Sequence, residues 1–177
     1  MSDFKDLFGD WSPDEGEPLT DEGYPLQGRS SRDVPVREVS ITNVVEEIYY
    51  PAGHAQGRAE SQMWVQMRDS RGREFKIVML RELGVSILGA IRGETPDRPA
   101  SHDLMKNIIE KMGGTVERIV IDDLWRETYY AKIHIRTEQE LLEIDARPSD
   151  AIAVGLRFRV PIFAAETVLE AAENEAE

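Results

Sequence analysis

From Val34 onward the chain switches repeatedly between two hydrophobic periods, and no other feature narrows its fold as much. VPVREVSITNVVEEIYY, SQMWVQMRD and REFKIVML are β-branched and aromatic and read as strands, the last two folded around Ser70-Arg71-Gly72. A helix follows: Leu80, Leu83, Ile87, Leu88 and Ile91 recur at the spacing of one helix face, and Gly93 stops it. A second helix starts at Ser101, with Leu104, Met105, Ile108, Ile109 and Met112 as its expected core face and Gly113-Gly114 at its end. TVERIVIDDLW and TYYAKIHIR return to period two as strands joined by a tight turn near Arg126-Glu127. ELLEIDA is a further strand, Ser149 to Phe158 a third helix, VPIFAA a short last strand and ETVLEAAENEAE an acidic helix that frays. Strands mixed with helices in this order, without strict βαβ alternation, predict an α+β fold with a mixed or antiparallel sheet and three to four helices.

Residues 1–33 have another texture, rich in Asp, Glu, Gly, Pro and Ser, with nine acids against three bases. They read as a disordered acidic tail. Phe4, Leu7, Phe8 and Trp11 form an amphipathic island in it that would alternatively suit a short partner-binding helix. One domain over residues 34–170 and an acidic C-terminal tail over 171–177 complete the expected organisation. The net charge of −13 is concentrated at the two ends, so the middle is close to neutral and can carry a basic face. Acidity therefore does not exclude a nucleic-acid partner. Zero cysteines exclude disulfides and thiolate metal sites. No apolar run is long enough for a bilayer, and the start MSDFKDLFGDW lacks the basic and apolar regions of a secretory signal. The expectation is a cytoplasmic protein with no membrane partner.

The chain writes one kind of helix entrance twice, 98-RPASHDL-104 and 147-RPSDAI-152. Proline suits a first turn, Ser101 and Ser149 suit N-caps, and Asp103 and Asp150 place negative charge where the helix dipole favours it. Capping needs neither Arg98 nor Arg147, however, and a protonated His102 is disfavoured in a first turn. Asp145, ending a strand, completes a D-x-R-P-S-D run. Helix N-termini beside arginine forks suit phosphate, and carboxylates at such a mouth suit a divalent cation bound against it. The candidate site is thus Asp103, Asp145 and Asp150 binding Mg²⁺ or Mn²⁺, which polarises a phosphate and activates water. Arg98, Arg147 and Ser149 hold phosphate oxygens, and His102 acts as general base or leaving-group acid. The competing account has Asp145 and Arg147 as an internal ion pair and the other aspartates as helix stabilisers. On the strand TYYAKIHIR, alternation sends Tyr129, Ala131, Ile133 and Ile135 to the core. Tyr130, Lys132, His134 and Arg136 fall on the other face, either a cationic strip for a nucleic-acid backbone or a solvated sheet face.

These motifs resemble the bifunctional nuclease domain family. The likeness runs from RPASHDLMKNIIEKMGGTVERIVIDDL through TYYAKIHI to EIDARPSDAIAVGLRFRVPIFAAETVLE, about residues 36 to 170. His102-Asp103-Leu104 after Arg98-Pro99, and Asp145 through Ile152, carry it most specifically. The resemblance implies a compact α+β domain that self-associates as a homo-oligomer. It also implies nuclease activity on both RNA and DNA. With the Lys132, His134 and Arg136 strip, the leading expectation is a metal-dependent nuclease of RNA and single-stranded DNA with little sequence specificity. One departure stands out. Where the family pattern reads roughly I-G-x-x-E-A-x-A-I, this chain has Leu80 for the glycine, Leu83 for the glutamate and Gly84 for the alanine. If that glutamate serves the site, this chain lacks one acid, while anion binding is untouched. Two rivals to the nuclease remain open: a non-catalytic module binding a phosphorylated ligand or partner, and an oligomeric structural protein.

Overall fold

A computed structural model of the chain describes residues 35–49 and 60–176. The tail expected over residues 1–33, with its apolar island, lies outside them. The described elements are β1 (Val36–Tyr49), β2 (Glu60–Asp69), β3 (Glu74–Leu80), α1 (Arg81–Arg92), α2 (Ser101–Lys111), β4 (Thr115–Trp125), β5 (Thr128–Arg136), β6 (Leu141–Ala146), α3 (Pro148–Phe158), β7 (Ile162–Ala165) and α4 (Glu166–Ala176). The strands form one mixed sheet in the order β3-β2-β1-β7-β4-β5-β6. Its pairings are antiparallel except for β4 with β7, which run parallel. The expected α+β class holds. The short β7 inserts between β1 and β4 and so welds two meanders into one sheet. No helix among the described residues is long and apolar enough to cross a membrane.

Local sequence explains the turns. Arg126 and Glu127 both take left-handed backbone (φ 47 and 63), the geometry of a two-residue hairpin whose twist matches its strands. At the β2–β3 turn Asp69 accepts the Arg71 and Arg73 amides, each at 2.9 Å, and Gly72 supplies φ 88. Arg73 carries this turn to α4, its Nη1 2.9 Å from Glu166 Oε1. The sheet curls, so that Phe75 of edge strand β3 packs on Tyr129 of β5 with ring centroids 5.6 Å apart. Helix α3 lies against β4 and β5, with Ala151, Ile152, Ala153 and Val154 fully buried. A Cβ at Gly155 would come within 2.5 Å of Ile119 Cγ1, so this close approach depends on glycine. Val168 and Leu169 seat α4 in the same core, and residues 171–176 continue that helix with Ala172 buried.

Two expectations about the helices are corrected. Neither serine caps: α2 begins at Ser101 with Ala100 as its N-cap, and α3 begins at Pro148 with Arg147 as its N-cap. A residue before proline is kept out of the helical region, and Arg147 accordingly sits at φ −64, ψ 142. The second correction concerns α2. Leu104, Met105, Ile108 and Met112, expected in the core, are all exposed, and only Ile109 of the five packs inward. The buried residue of this helix is His102. Polar bonds from His102 and Asp103 to the neighbouring helices fix the rotation of α2 and override its apolar stripe. Helix α1 is closer to expectation: Ile87 is buried and Leu83 and Leu88 pack on the core, while Leu80 and Ile91 stay exposed.

Candidate functional site

The two helix entrances meet. His102 of α2 sets Nε2 3.0 Å from Asp150 Oδ1 of α3, and its Nδ1 lies 2.9 Å from Ser86 Oγ of α1. A carboxylate only accepts, so Asp150 places the ring proton of neutral His102 on Nε2, and Nδ1 then accepts from the Ser86 hydroxyl. Arg157, near the end of α3, donates from Nη2 to Ser86 Oγ at 3.1 Å and from Nε to Asp103 Oδ1 at 2.5 Å. Arg147 donates from Nε to Asp150 Oδ2 at 2.6 Å. With the ring neutral, the result is a directed relay in which Arg157 donates to Ser86, Ser86 to His102 and His102 to Asp150, which Arg147 also serves. Its bonds polarise one another.

Electrostatics follow from this wiring. Burial pushes the Asp150 carboxyl up, but hydrogen bonds from Arg147 and His102 more than offset it and hold it below the ordinary range. Asp103 behaves alike: burial raises it, and Arg157 with the Ala100 amide lowers it further than burial lifts it. Both aspartates are anions at neutral pH. His102 is only 5% exposed and has both ring nitrogens engaged by protein, so neither faces a substrate. The ring bridges the two entrances, and neither nitrogen is open for the direct acid–base role expected of it.

Other candidates lie elsewhere. Asp145 is exposed on β6, opposite Lys132 in register, and Arg147 pairs with Asp150 in preference to it. Arg98 is exposed and makes no ion pair among the described residues. The three aspartates do not converge: Asp103 is held by Arg157, Asp150 by His102 and Arg147, and Asp145 stands apart. No group of three or more His, Asp or Glu among the described residues is placed to hold a metal ion, so these side chains do not fit a protein-built Mg²⁺ or Mn²⁺ cage. Nor do Lys132, His134 and Arg136 make an open cationic strip. Lys132 Nζ lies 3.2 Å from Asp122 Oδ2 and 4.0 Å from Glu143 Oε2, His134 is fully buried, and Arg136 pairs with Glu117 at 2.9 Å. Burial lifts the Asp122 carboxyl above its ordinary range against the pull of Lys132.

The relay joins two separate cavities. One, of about 700 Å³, is lined by Lys76 to Leu80 of β3, Leu83, Leu124, Glu127 to Tyr129, and Arg147 to Ser149 at the start of α3. The other, of about 440 Å³, is lined in part by Ser86, Gly89, Glu94, Asp103 and Arg157. The entrances are therefore connected through the interior and face different spaces. Leu80 and Leu83, two of the three departures from the family pattern, both line the first cavity. Ser86 and Arg157 were missed in the sequence. Their signal is a lone polar side chain inside an otherwise apolar helical run, LGVSILG and AVGLRF.

An α+β fold whose two Arg-Pro helix entrances are hydrogen-bonded to each other defines the class. The chain belongs to the bifunctional nuclease domain family, whose model, described as "Bifunctional nuclease domain", matches residues 65–177. It is similar to "Bifunctional nuclease 1" of Oryza sativa subsp. indica, 29% identical over 101 residues, which are 55% of this chain and 30% of that protein. "Bifunctional nuclease 2" of Arabidopsis thaliana is 28% identical over 101 residues, 55% of this chain and 31% of that protein. An uncharacterized protein of Mycobacterium tuberculosis (strain ATCC 25618 / H37Rv) is 37% identical over 78 residues, 44% of this chain and 46% of that protein. The match thus spans less than half of the length of each of these relatives, from 30% to 46%.

Proposed function

We propose that this domain is a nuclease that hydrolyses phosphodiester bonds of RNA and single-stranded DNA with little sequence specificity. The observation that carries this reading is the start of α3. Arg147 spends Nε on Asp150, which leaves its terminal amino groups for a phosphate at a helix N-terminus on the rim of a large cavity. Asp150, one-fifth exposed at its side chain and ionised, is the carboxylate beside that phosphate and orients the attacking water. His102 and Ser86 hold Asp150 in place. Asp103 and Arg157 anchor the far end of the relay and touch no substrate. Ser149 adds a hydroxyl on the cavity side. Arg98, Asp145, Lys132, His134 and Arg136 have no part in this arrangement. Any divalent cation that takes part, Mg²⁺ or Mn²⁺, is held chiefly by substrate oxygens with one or two carboxylates.

The experiment is cleavage of labelled single-stranded DNA and RNA by the purified chain, with and without chelator, beside Asp150→Asn and Arg147→Ala. Loss of cleavage in both variants supports the reading, and full activity in either removes this site from the reaction. A second reading, a phosphate-ligand or partner-binding module without turnover, is favoured by Leu83 standing where the family pattern has an acid. Saturable, salt-sensitive binding through Arg147 with no product formed decides for it. We further propose that the chain forms a homo-oligomer through the outward stripe of α2, where Leu104, Met105, Ile108 and Met112 are exposed side by side. A monomeric mass in sedimentation at all concentrations overturns that.

A further inference from the structure

We propose that the cavity of about 700 Å³ between β3 and the start of α3 is a subsite for one unstacked nucleobase, whose nucleotide phosphate sits at Arg147 and Ser149. The phosphate end rests on the nuclease reading, whereas the base end has its own support. Three features of the cavity point to an occupant that is anionic at one end and flat and apolar at the other.

At the anionic end Ser149 is only 6% exposed, and its hydroxyl has no hydrogen-bond partner among the described residues although it lines the cavity. The residue is buried while its hydroxyl stays open to the cavity, so a ligand oxygen there can bond to it in place of water. Beside it α3 has no side-chain cap, Pro148 contributes no N–H, and Arg147 keeps its terminal amino groups. Along the wall, Val78 and Leu80 are 60% and 67% exposed, large apolar side chains facing a concavity that Leu124 and Tyr129 extend. Third, among the described residues β3 is an edge strand paired only with β2, and five consecutive residues of it line the cavity. Its unpaired backbone edge therefore offers donors and acceptors beside an apolar surface.

A nucleobase matches all three, with apolar faces, a polar edge and a phosphate on a short tether. Inorganic phosphate would use only the Arg147 end. A peptide strand laid along β3 would use the edge and leave Arg147 and Ser149 idle. A base can enter only when unstacked, so the subsite selects single strands over duplex.

Calorimetric titration of the full chain compares a nucleoside monophosphate (GMP, then CMP) with ribose 5-phosphate and inorganic phosphate. The base is expected to tighten binding about tenfold or more over ribose 5-phosphate, in the range of base contacts with protein. Leu80→Ser and Val78→Thr, at exposed positions that leave the core intact, abolish that advantage and spare ribose 5-phosphate binding. Arg147→Ala weakens both ligands. Equal affinity for the two sugar phosphates overturns the subsite, as does a Leu80→Ser variant that changes sedimentation mass and not nucleotide affinity. Selective nucleotide binding without cleavage sinks the nuclease reading and leaves the subsite standing. Cleavage without selective binding does the reverse.

Discussion

The entrances of α2 and α3 are near-copies in sequence and opposites in use. At α3 the arginine before the proline bonds the aspartate three residues on, faces a cavity and leaves its terminal amino groups outward. At α2 the corresponding Arg98 is exposed and engages nothing among the described residues, and Asp103 is instead served by Arg157 from the other helix. One entrance presents charge to a large cavity, and the other absorbs charge into the frame. The difference arises from position in the fold. Helix α3 starts directly off β6 against the curled sheet, whereas α2 is reached through an exposed linker after Gly93. A local signal specifies that a helix begins with an acid in its first turn, and the neighbours decide what the acid does.

The comparison breaks most visibly at its shared residue. His102→Ala takes one of two partners from each of Asp150 and Ser86, which keep Arg147 and Arg157, and opens a cavity, a loss of about 3 kcal/mol, or about 6–12 °C in Tm for a chain this size. Thermal unfolding reads it, and a drop below about 2 °C would mean that the entrances are not wired together. Next in size is the split between the arginines. Arg147→Ala should cut cleavage or phosphate binding at least tenfold while changing stability by less than about 1 kcal/mol, since the side chain is largely exposed. Arg98→Ala should leave both nearly unchanged, and equal losses from the two variants would restore the symmetry that the sequence suggests.

Acid sharpens the comparison further. Asp103 and Asp150 titrate below their ordinary values in the fold, so the stability they contribute is present above the unfolded carboxylate value of about 3.9 and is lost as pH falls through the folded ones. Tm should hold from pH 7 to about 5 and fall below about 4. Asp103→Asn and Asp150→Asn should each flatten that fall. Asp122 works in the opposite sense, since its raised value favours the fold as it takes up a proton, so Asp122→Asn should steepen the fall. An effect confined to stability is expected at Gly155. Alanine there presses on Ile119 and costs about 1–3 kcal/mol, while Arg147-dependent binding is retained.

Much of the fold was legible because its signals are local. The alternation of Phe75, Ile77 and Met79, the left-handed pair at Arg126-Glu127 and the glycine stops all act within a few residues. The rotation of α2 was not legible. Its apolar stripe pointed Leu104, Met105, Ile108 and Met112 inward, but polar bonds from His102 to residues 16 and 48 positions away in the chain turned that stripe to solvent. The same holds for the candidate site. Asp150 and Arg147 could be read from their motif, while Ser86 and Arg157 joined them only through tertiary packing. Lys132 and His134 misled because strand alternation tells which face a residue occupies and not which carboxylates share that face.

A double-mutant cycle on His102→Ala and Asp150→Asn, followed by chemical denaturation, reads the link between the entrances directly. Two groups bonded at 3.0 Å inside one relay should show a coupling of about 1–3 kcal/mol, with the double variant losing much less than the sum of the single ones. Additive losses within about 0.5 kcal/mol would mean that the two helix starts merely lie close together, and the account would fail.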